Sequence, residues 1–317
     1  SPFNQAWCYT KKIQVKKSAE KKQWVDLTGL NYRGHLVVWT GKKPTKVAGS
    51  EFKGPYTSKS VELTNYLKGG ENTISFEVRP PEPNSLTPSW LDWSPTDPCK
   101  NMGLSREPKF RSTGESKING HHVVTKLSSS GKQARVSVYL DIKQQKPIDP
   151  KASVVVEIAG KKKRVLLSKL KSNSPVEFTI NNPKLWWPNG MGKPNMNSLN
   201  ITTYGAKGQP SDQVKTSVGL RQIESFLNAR KDREYKINGR ALQIKGVGWT
   251  GEMLGNESMT KKRTKLNYVA DMGFNTIRQE GTMESQEFYR ELDKRGIMVM
   301  AGFPCCTAWE AKNTSKK

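Results

Sequence analysis

The sequence predicts a mainly β protein that ends in an α/β piece: two successive β-sandwiches, then a short parallel sheet with helices. Three observations carry this. Short segments rich in Val, Ile, Trp and Phe, many of them alternating apolar and polar, fill the first two thirds and are separated by Gly-Lys, Gly-Pro and Gly-Gly breaks. Helical spacing of apolar residues appears only in the last third. The chain has 317 residues with nine Trp, nine Tyr and nine Phe, enough to build several cores and too aromatic for a disordered basic tail.

Residues 1–114 read as an all-β unit. TKKIQV, QWVDLTGL, HLVVWTGKK, KSVELTNYL and NTISFEVRP are its strands, and their even spacing suggests a sandwich or jelly roll. A Pro-rich loop over 80–98 follows, long and without periodicity, which marks function or special packing. It holds Trp90 and Trp93 with Asp92 between them. Two readings are open: indole faces that stack on sugar rings while the carboxylate accepts hydroxyl hydrogens, or a Trp pair that pins the loop to the sandwich.

Residues 115–222 are again β. HHVVTKL, ARVSVYLDIKQ, ASVVVEIAG, KRVLLSKL, PVEFTI, SLNITTYG and VKTSVGLRQIES are seven short strands, as in an immunoglobulin-like sandwich. No Cys…Trp…Cys signature accompanies them.

Residues 223–317 change character. YKING leads into LQIKGVGWT, a strand. Leu266, Val269 and Ala270 then fall at helical spacing, with Gly273 placed to cap. NTIRQEG is a strand, SQEFYRELDKRG a helix ending at Gly296, and IMVMAG a third strand. Strand–helix–strand–helix–strand means a parallel sheet, and Arg278 and Glu280 stand at a strand end, where such folds place chemistry.

The formal net charge is +25, distributed as +8, +12 and +5 over the three segments. Most of it is Lys, a hydrated point charge suited to diffuse attraction to polyanions rather than to base readout. A solvated surface explains the excess equally well. The densest run, Lys161, Lys162, Lys163 and Arg164, reads first as the charged tip of a hairpin and second as a polyanion-binding patch for an acidic glycan. Cys8, Cys99, Cys305 and Cys306 form no CxxC, and the three His lie away from them, so no metal and no cofactor is expected. No run is long and apolar enough for a transmembrane segment. SPFNQAWCYT does not read as a signal peptide. Sequons at Asn200, Asn256 and Asn313 are the pointers to a secreted or extracellular place.

Seven stretches, in order, carry a resemblance: GLNYRGHLVVWTGKK (29–43), VELTNYLKGGENTISFEV (61–78), LDWSPTDPCKNMGLSREP (91–108), LWWPNGMGKPNM (185–196), YKINGRALQIKGVGWT (235–250), DMGFNTIRQEGTME (271–284) and IMVMAGFPCCTAWE (297–310). The chain resembles glycoside hydrolase family 2, the exo-β-D-glucosaminidases more than the β-mannosidases. The resemblance implies a sugar-binding jelly roll, an immunoglobulin-like sandwich, then the first three strands of a (β/α)8 barrel. It implies the N-terminal part of an enzyme that removes glucosamine from chitosan oligosaccharides by a retaining mechanism. The general acid and nucleophile lie on later barrel strands, so this chain alone is expected to be inactive. Carried over residue by residue, Arg278 and Glu280 border the −1 subsite, an acidic side chain there suiting an ammonium group. Trp249, Trp309 and Glu310 fall at the pocket rim, and the loop with Trp90, Asp92 and Trp93 reaches toward the barrel. Ser105 departs from the family's Trp, and Pro304 interrupts the run before Cys305. Three strands leave open sheet edges, so a second chain or self-association is expected to cover them. The alternative function is a non-catalytic polyanion- or glycan-binding protein that uses its Lys-rich sandwiches.

Overall fold

The computed structural model describes residues 2–302 apart from 19, 55–56, 83–84, 86–98, 100, 145–146, 172, 253–256 and 281–282. The chain is mainly β. In the first unit Trp7–Val15, Gly70–Arg79, Arg33–Thr40 and Lys43–Lys46 lie side by side in one sheet, and Phe52–Lys53 joins Arg33–Thr40. Lys109–Thr113, Lys22–Thr28 and Ser58–Glu62 form the facing sheet. Their alternate residues, among them Val25, Leu27, Leu36, Val38, Val61, Ile74 and Val78, close on one core. Each fully buried side chain of this kind contributes roughly 1.5–3 kcal/mol. Lys109–Thr113 was not predicted. Its one fully buried side chain is Thr113, so no apolar alternation announces it.

The second unit keeps all seven predicted strands in sheets of three and four. Ser116–Leu127, Gln133–Gln144 and Val176–Asn181 form one; Lys161–Leu166, Ser153–Ile158, Asn197–Tyr204 and Pro210–Val218 form the other. Val136, Val138, Val154, Val156, Phe178, Leu199 and Ile201 meet between them.

Three expectations are corrected. The hairpin tip is Ala159-Gly160, whose positive φ angles of 46° and 76° are those of a two-residue hairpin turn. Lys161 to Arg164 therefore lie along the edge strand, not at its tip. VKTSVGLRQIES divides into Pro210–Val218 and Ile223–Leu227. The break falls at Gly219, where a Cβ would stand 2.6 Å from the Trp186 ring, so only glycine lets the chain pass. LQIKGVGWT also divides. Arg240–Leu242 closes an antiparallel meander with Arg233–Ile237 and Ile223–Leu227, and Gly246–Trp249 opens the parallel sheet.

That sheet runs Gly246–Trp249, Thr276–Gln279, Met298–Met300, all parallel. Helix α1 (Met259–Asp271) is capped by Ser258, whose hydroxyl accepts from the Lys261 N–H at 3.3 Å. Helix α2 (Gln286–Arg295) is capped by Ser285 through the Phe288 N–H at 3.2 Å. It has Glu287 in its first turn, Lys294 and Arg295 in its last, and Gly296 in the left-handed region at its end. Leu266 and Val269 of α1, and Phe288 and Leu292 of α2, bury against Ile277 and Trp249 of the sheet.

One loop joins this unit to the second sandwich. The Trp186 indole N–H donates to the Asp293 carbonyl in the last turn of α2, at 2.6 Å. The Asn189 amide donates to the carbonyls of Ala270 and Phe274 at the end of α1, at 2.8 and 3.0 Å. Its backbone N–H donates to the Gly296 carbonyl at 2.8 Å. A helix ends with carbonyls that have no partner in the helix itself. The loop supplies donors at the carboxyl ends of both helices. The Arg221 guanidinium covers Trp186 at 4.4 Å and pairs with Asp293 at 3.3 Å.

Candidate functional site

Of the predicted sugar-site residues that the structure describes, Trp249, Arg278 and Glu280 stand at the carboxyl edge of the parallel sheet. Along Thr276–Gln279 alternate side chains face opposite ways. Ile277 and Gln279 are fully buried among the helices, whereas Arg278 is exposed on the other face. Glu280 follows, and its N–H donates to the Trp249 carbonyl at 3.1 Å. Arg278 and Glu280 form an ion pair at 3.5 Å, with their side chains 60% and 31% accessible. The site therefore presents a half-exposed carboxylate and a guanidinium on the open face at the end of the middle strand. Such a pair can accept hydrogens from hydroxyls or an ammonium and donate to a sugar oxygen.

Trp249 departs from its expected place. Its ring is buried against Phe288, at 4.9 Å between centroids, inside the core of sheet and helices. Its indole N–H donates to Glu284 Oε1 at 3.2 Å. It is a packing residue, because its position in the pleat points it at the helices with Ile277 and not at the open face. Trp90, Asp92, Trp93, Trp309 and Glu310 lie outside the described residues, as do Cys305 and Cys306.

Polar groups behind the strand ends hold them in place. Glu284 is buried, holds Lys262 Nζ at 2.5 Å and accepts from Trp249. The Tyr289 hydroxyl donates to Gln279 Oε1 at 2.9 Å, and Gln279 Nε2 is buried without an acceptor among the described residues. Arg106 reaches across from the first sandwich and donates to the carbonyls of Met283 and Glu284 at 3.2 and 2.8 Å. The first sandwich thus braces the loop that follows the Arg278–Glu280 strand. Sequence reasoning assigned no role to Arg106, Lys262, Gln279, Glu284 or Tyr289. Glu284 carried the one available signal, a carboxylate directly before the Ser285 cap. Ser105, where the family pattern differs, bonds locally: its hydroxyl donates to the Gly29 carbonyl at 2.7 Å.

The basic run is less free than its charge suggests. Lys162 pairs with Glu157 at 2.7 Å. Lys163 donates to the Glu177 carbonyl and stands over the Phe178 ring. Arg164 donates to Ser153 Oγ at 2.7 Å and covers the Tyr204 ring at 4.9 Å. Lys161 is exposed.

Residues 112–221 match Glycosyl hydrolases family 2. The chain is 31% identical to the exo-β-D-glucosaminidase of Amycolatopsis orientalis over 98% of its own length and 30% of that protein. It is 29% identical to the exo-β-D-glucosaminidase of Streptomyces avermitilis over 97% of its length and 35% of that protein. The chain thus spans about a third of the length of these relatives. The crystal structure of the A. orientalis exo-chitosanase superposes with a TM-score of 0.85 at 30% identity, over 97% of this chain and 36% of that one. A variant of that enzyme has also been solved with PNP-β-D-glucosamine. A β-D-mannosidase of Dictyoglomus thermophilum shares the fold, with a TM-score of 0.75 at 22% identity, over 94% of this chain and 40% of that one. With that domain coinciding with the second sandwich and its similarity running along nearly its whole length, the chain carries a glycoside hydrolase family 2 domain and matches the N-terminal third of exo-β-D-glucosaminidases.

Proposed function

We propose that these residues act as the N-terminal, sugar-contacting part of an exo-β-D-glucosaminidase that trims terminal glucosamine from chitosan oligosaccharides. The observation that supports this best is the Arg278–Glu280 pair, open on one face at the carboxyl edge of a parallel sheet. The three strands correspond on this account to the first three of a (β/α)8 barrel. Their carboxyl edge would then border the sugar that is cleaved. Glu280 would take the substrate's ammonium group, and Arg278 would hold that carboxylate in place. A neutral sugar has no charge to offer Glu280, so the pair is a specificity element.

Retaining hydrolysis needs two carboxyl groups ~5–5.5 Å apart across the scissile bond. The family resemblance assigns both to later barrel strands, beyond the third of the relatives that this chain matches. On this reading the protein works outside the cell, where a polymer such as chitosan is met. The purified 317-residue chain is expected to release no chromophore from PNP-β-D-glucosamine. Measurable turnover would show that the chain carries both carboxylates itself and would overturn this division of labour.

A further inference from the structure

We propose that Tyr289 and Gly302 are positioning residues for Glu280: together they fix where its carboxylate stands, without touching the sugar themselves. This role rests on the reading of Glu280 as the group that takes the substrate's ammonium.

Glu280 lies one residue beyond its strand, Thr276–Gln279, so the ladder alone does not fix it. A carboxylate that selects one charged group on a sugar must be held to within ~0.5 Å. Two residues tie the ends of the segment from Gln279 to Glu284 together. Trp249 accepts the Glu280 N–H on its carbonyl at 3.1 Å and donates its indole N–H to Glu284 Oε1 at 3.2 Å. The Tyr289 hydroxyl donates to Gln279 Oε1 at 2.9 Å and accepts the Glu284 N–H at 3.3 Å. Gln279 is fully buried, and this hydroxyl is the partner of its side-chain amide among the described residues. Without it both ends of a buried amide are unpaired, which is costly. Tyr289 thus reaches from α2 to the residue directly before Glu280 and to the far end of the same segment.

The third strand closes the other side. Met300 pairs with Arg278, and two residues later the chain passes against the Gln279–Glu280 peptide. A Cβ on Gly302 would stand well inside 3.0 Å of the Gln279 carbonyl oxygen, 3.1 Å from its carbon and 3.8 Å from the Glu280 Cα. Real Cβ atoms essentially never come within 3.0 Å of a neighbour, and this obstacle is backbone, which cannot swing aside as a side chain does. Gly246, at the other end of the same sheet, has its nearest neighbours at 3.7 and 3.8 Å, which is ordinary contact. The demand for glycine therefore belongs to the end of the sheet that carries Glu280. Its peptide is held by the first strand through a hydrogen bond, by the third strand through close approach, and by α2 through Gln279.

The test is NMR titration of the full chain with methyl β-glucosaminide and methyl β-glucoside. The native chain should prefer the glucosaminide about tenfold or more, the gain from one hydrogen bond between charged groups. Tyr289→Phe keeps the ring and removes the hydroxyl, and it should cut that preference severalfold. Gly302→Ala must push the Gln279–Glu280 peptide away, and it should bring the preference down to about twofold or less. Affinity for the neutral glucoside should stay close to native in both variants, which a general loss of structure would not allow. Hydrogen exchange at the Glu280 amide should quicken in both. Gly246→Ala should leave the preference and the exchange as they are. A native preference that survives either Tyr289→Phe or Gly302→Ala would overturn the positioning role and leave the reading of Glu280 standing. Parallel loss of both sugars would overturn it too, by showing a structural role. Equal native affinity for the two sugars would overturn the positioning role together with the reading of Glu280.

Discussion

Asn189 holds the joint between the second sandwich and the α/β unit, and its removal has a calculable cost. Its side-chain amide donates to two carbonyls, Ala270 at 2.8 Å and Phe274 at 3.0 Å. Asn189→Ala deletes both bonds. At ~0.5–1.5 kcal/mol net for each, the loss is about 1–3 kcal/mol. Asn189→Asp should be worse, because it turns an acceptor with negative charge toward carbonyl oxygens at a helix carboxyl end, where the helix dipole also disfavours an anion. The expected order of stability is therefore native, then Ala, then Asp. Urea unfolding followed by α-helical circular dichroism reads this, since both helices belong to this unit. Amide hydrogen exchange at the last turn of α1 should quicken in the same order. An Ala variant within about 0.5 kcal/mol of native, below the range expected from the lost bonds, or an Asp variant as stable as Ala, would refute the capping role.

Two further outcomes follow from the sandwich junctions. Arg111 bridges Asp26 at 3.1 Å and Asp212 at 2.5 Å, joining the two sandwiches, with Asp212 nearly buried. Arg111→Ala leaves Asp212 without its cation and Asp26 with Lys117 alone, and should cost about 3 kcal/mol in urea unfolding; a change under 1 kcal/mol would show the bridge to be incidental. His121 titrates below its ordinary range because burial, then His122, then Arg290 disfavour its charged form. Its folded value thus lies below the ~6.5 of the unfolded chain. The stability it contributes is complete above pH ~6.5 and is lost as pH falls through the folded value. His121→Gln should flatten that part of the stability–pH curve, and an unchanged slope would assign it to other groups.

The sequence made the sheets legible and the joints obscure. Ala134, Val136 and Val138 are buried and alternate with exposed or half-buried neighbours, so that strand of the second sandwich could be read from period alone. Both helices carried their stop signals in plain view, at Gly273 and Gly296. What periodicity cannot show is where a chain must pass close to another part of itself. Gly219 breaks a strand because Trp186 lies against it, and Gly296 leaves room for the backbone of 187–189. Trp249 was misplaced for a related reason. A Trp at a strand end looks the same in sequence whether the pleat turns it to the open face or to the helices. The placement of Arg278 and Glu280 at a strand end was legible because the strand itself could be read from TIRQ. Their supports, Arg106 and Glu284, come from distant segments and leave no local pattern.

The central claim is that Glu280 selects an amino sugar, and a binding comparison tests it most directly. Methyl β-glucosaminide and methyl β-glucoside differ at this pair by one ammonium group. Titrated into the labelled chain and followed by NMR, the glucosaminide should bind more tightly and shift the amides around Arg278 and Glu280, and Glu280→Gln should erase the difference between the two sugars. Equal affinity for both sugars in the native chain, or a preference that survives Glu280→Gln, would contradict the account.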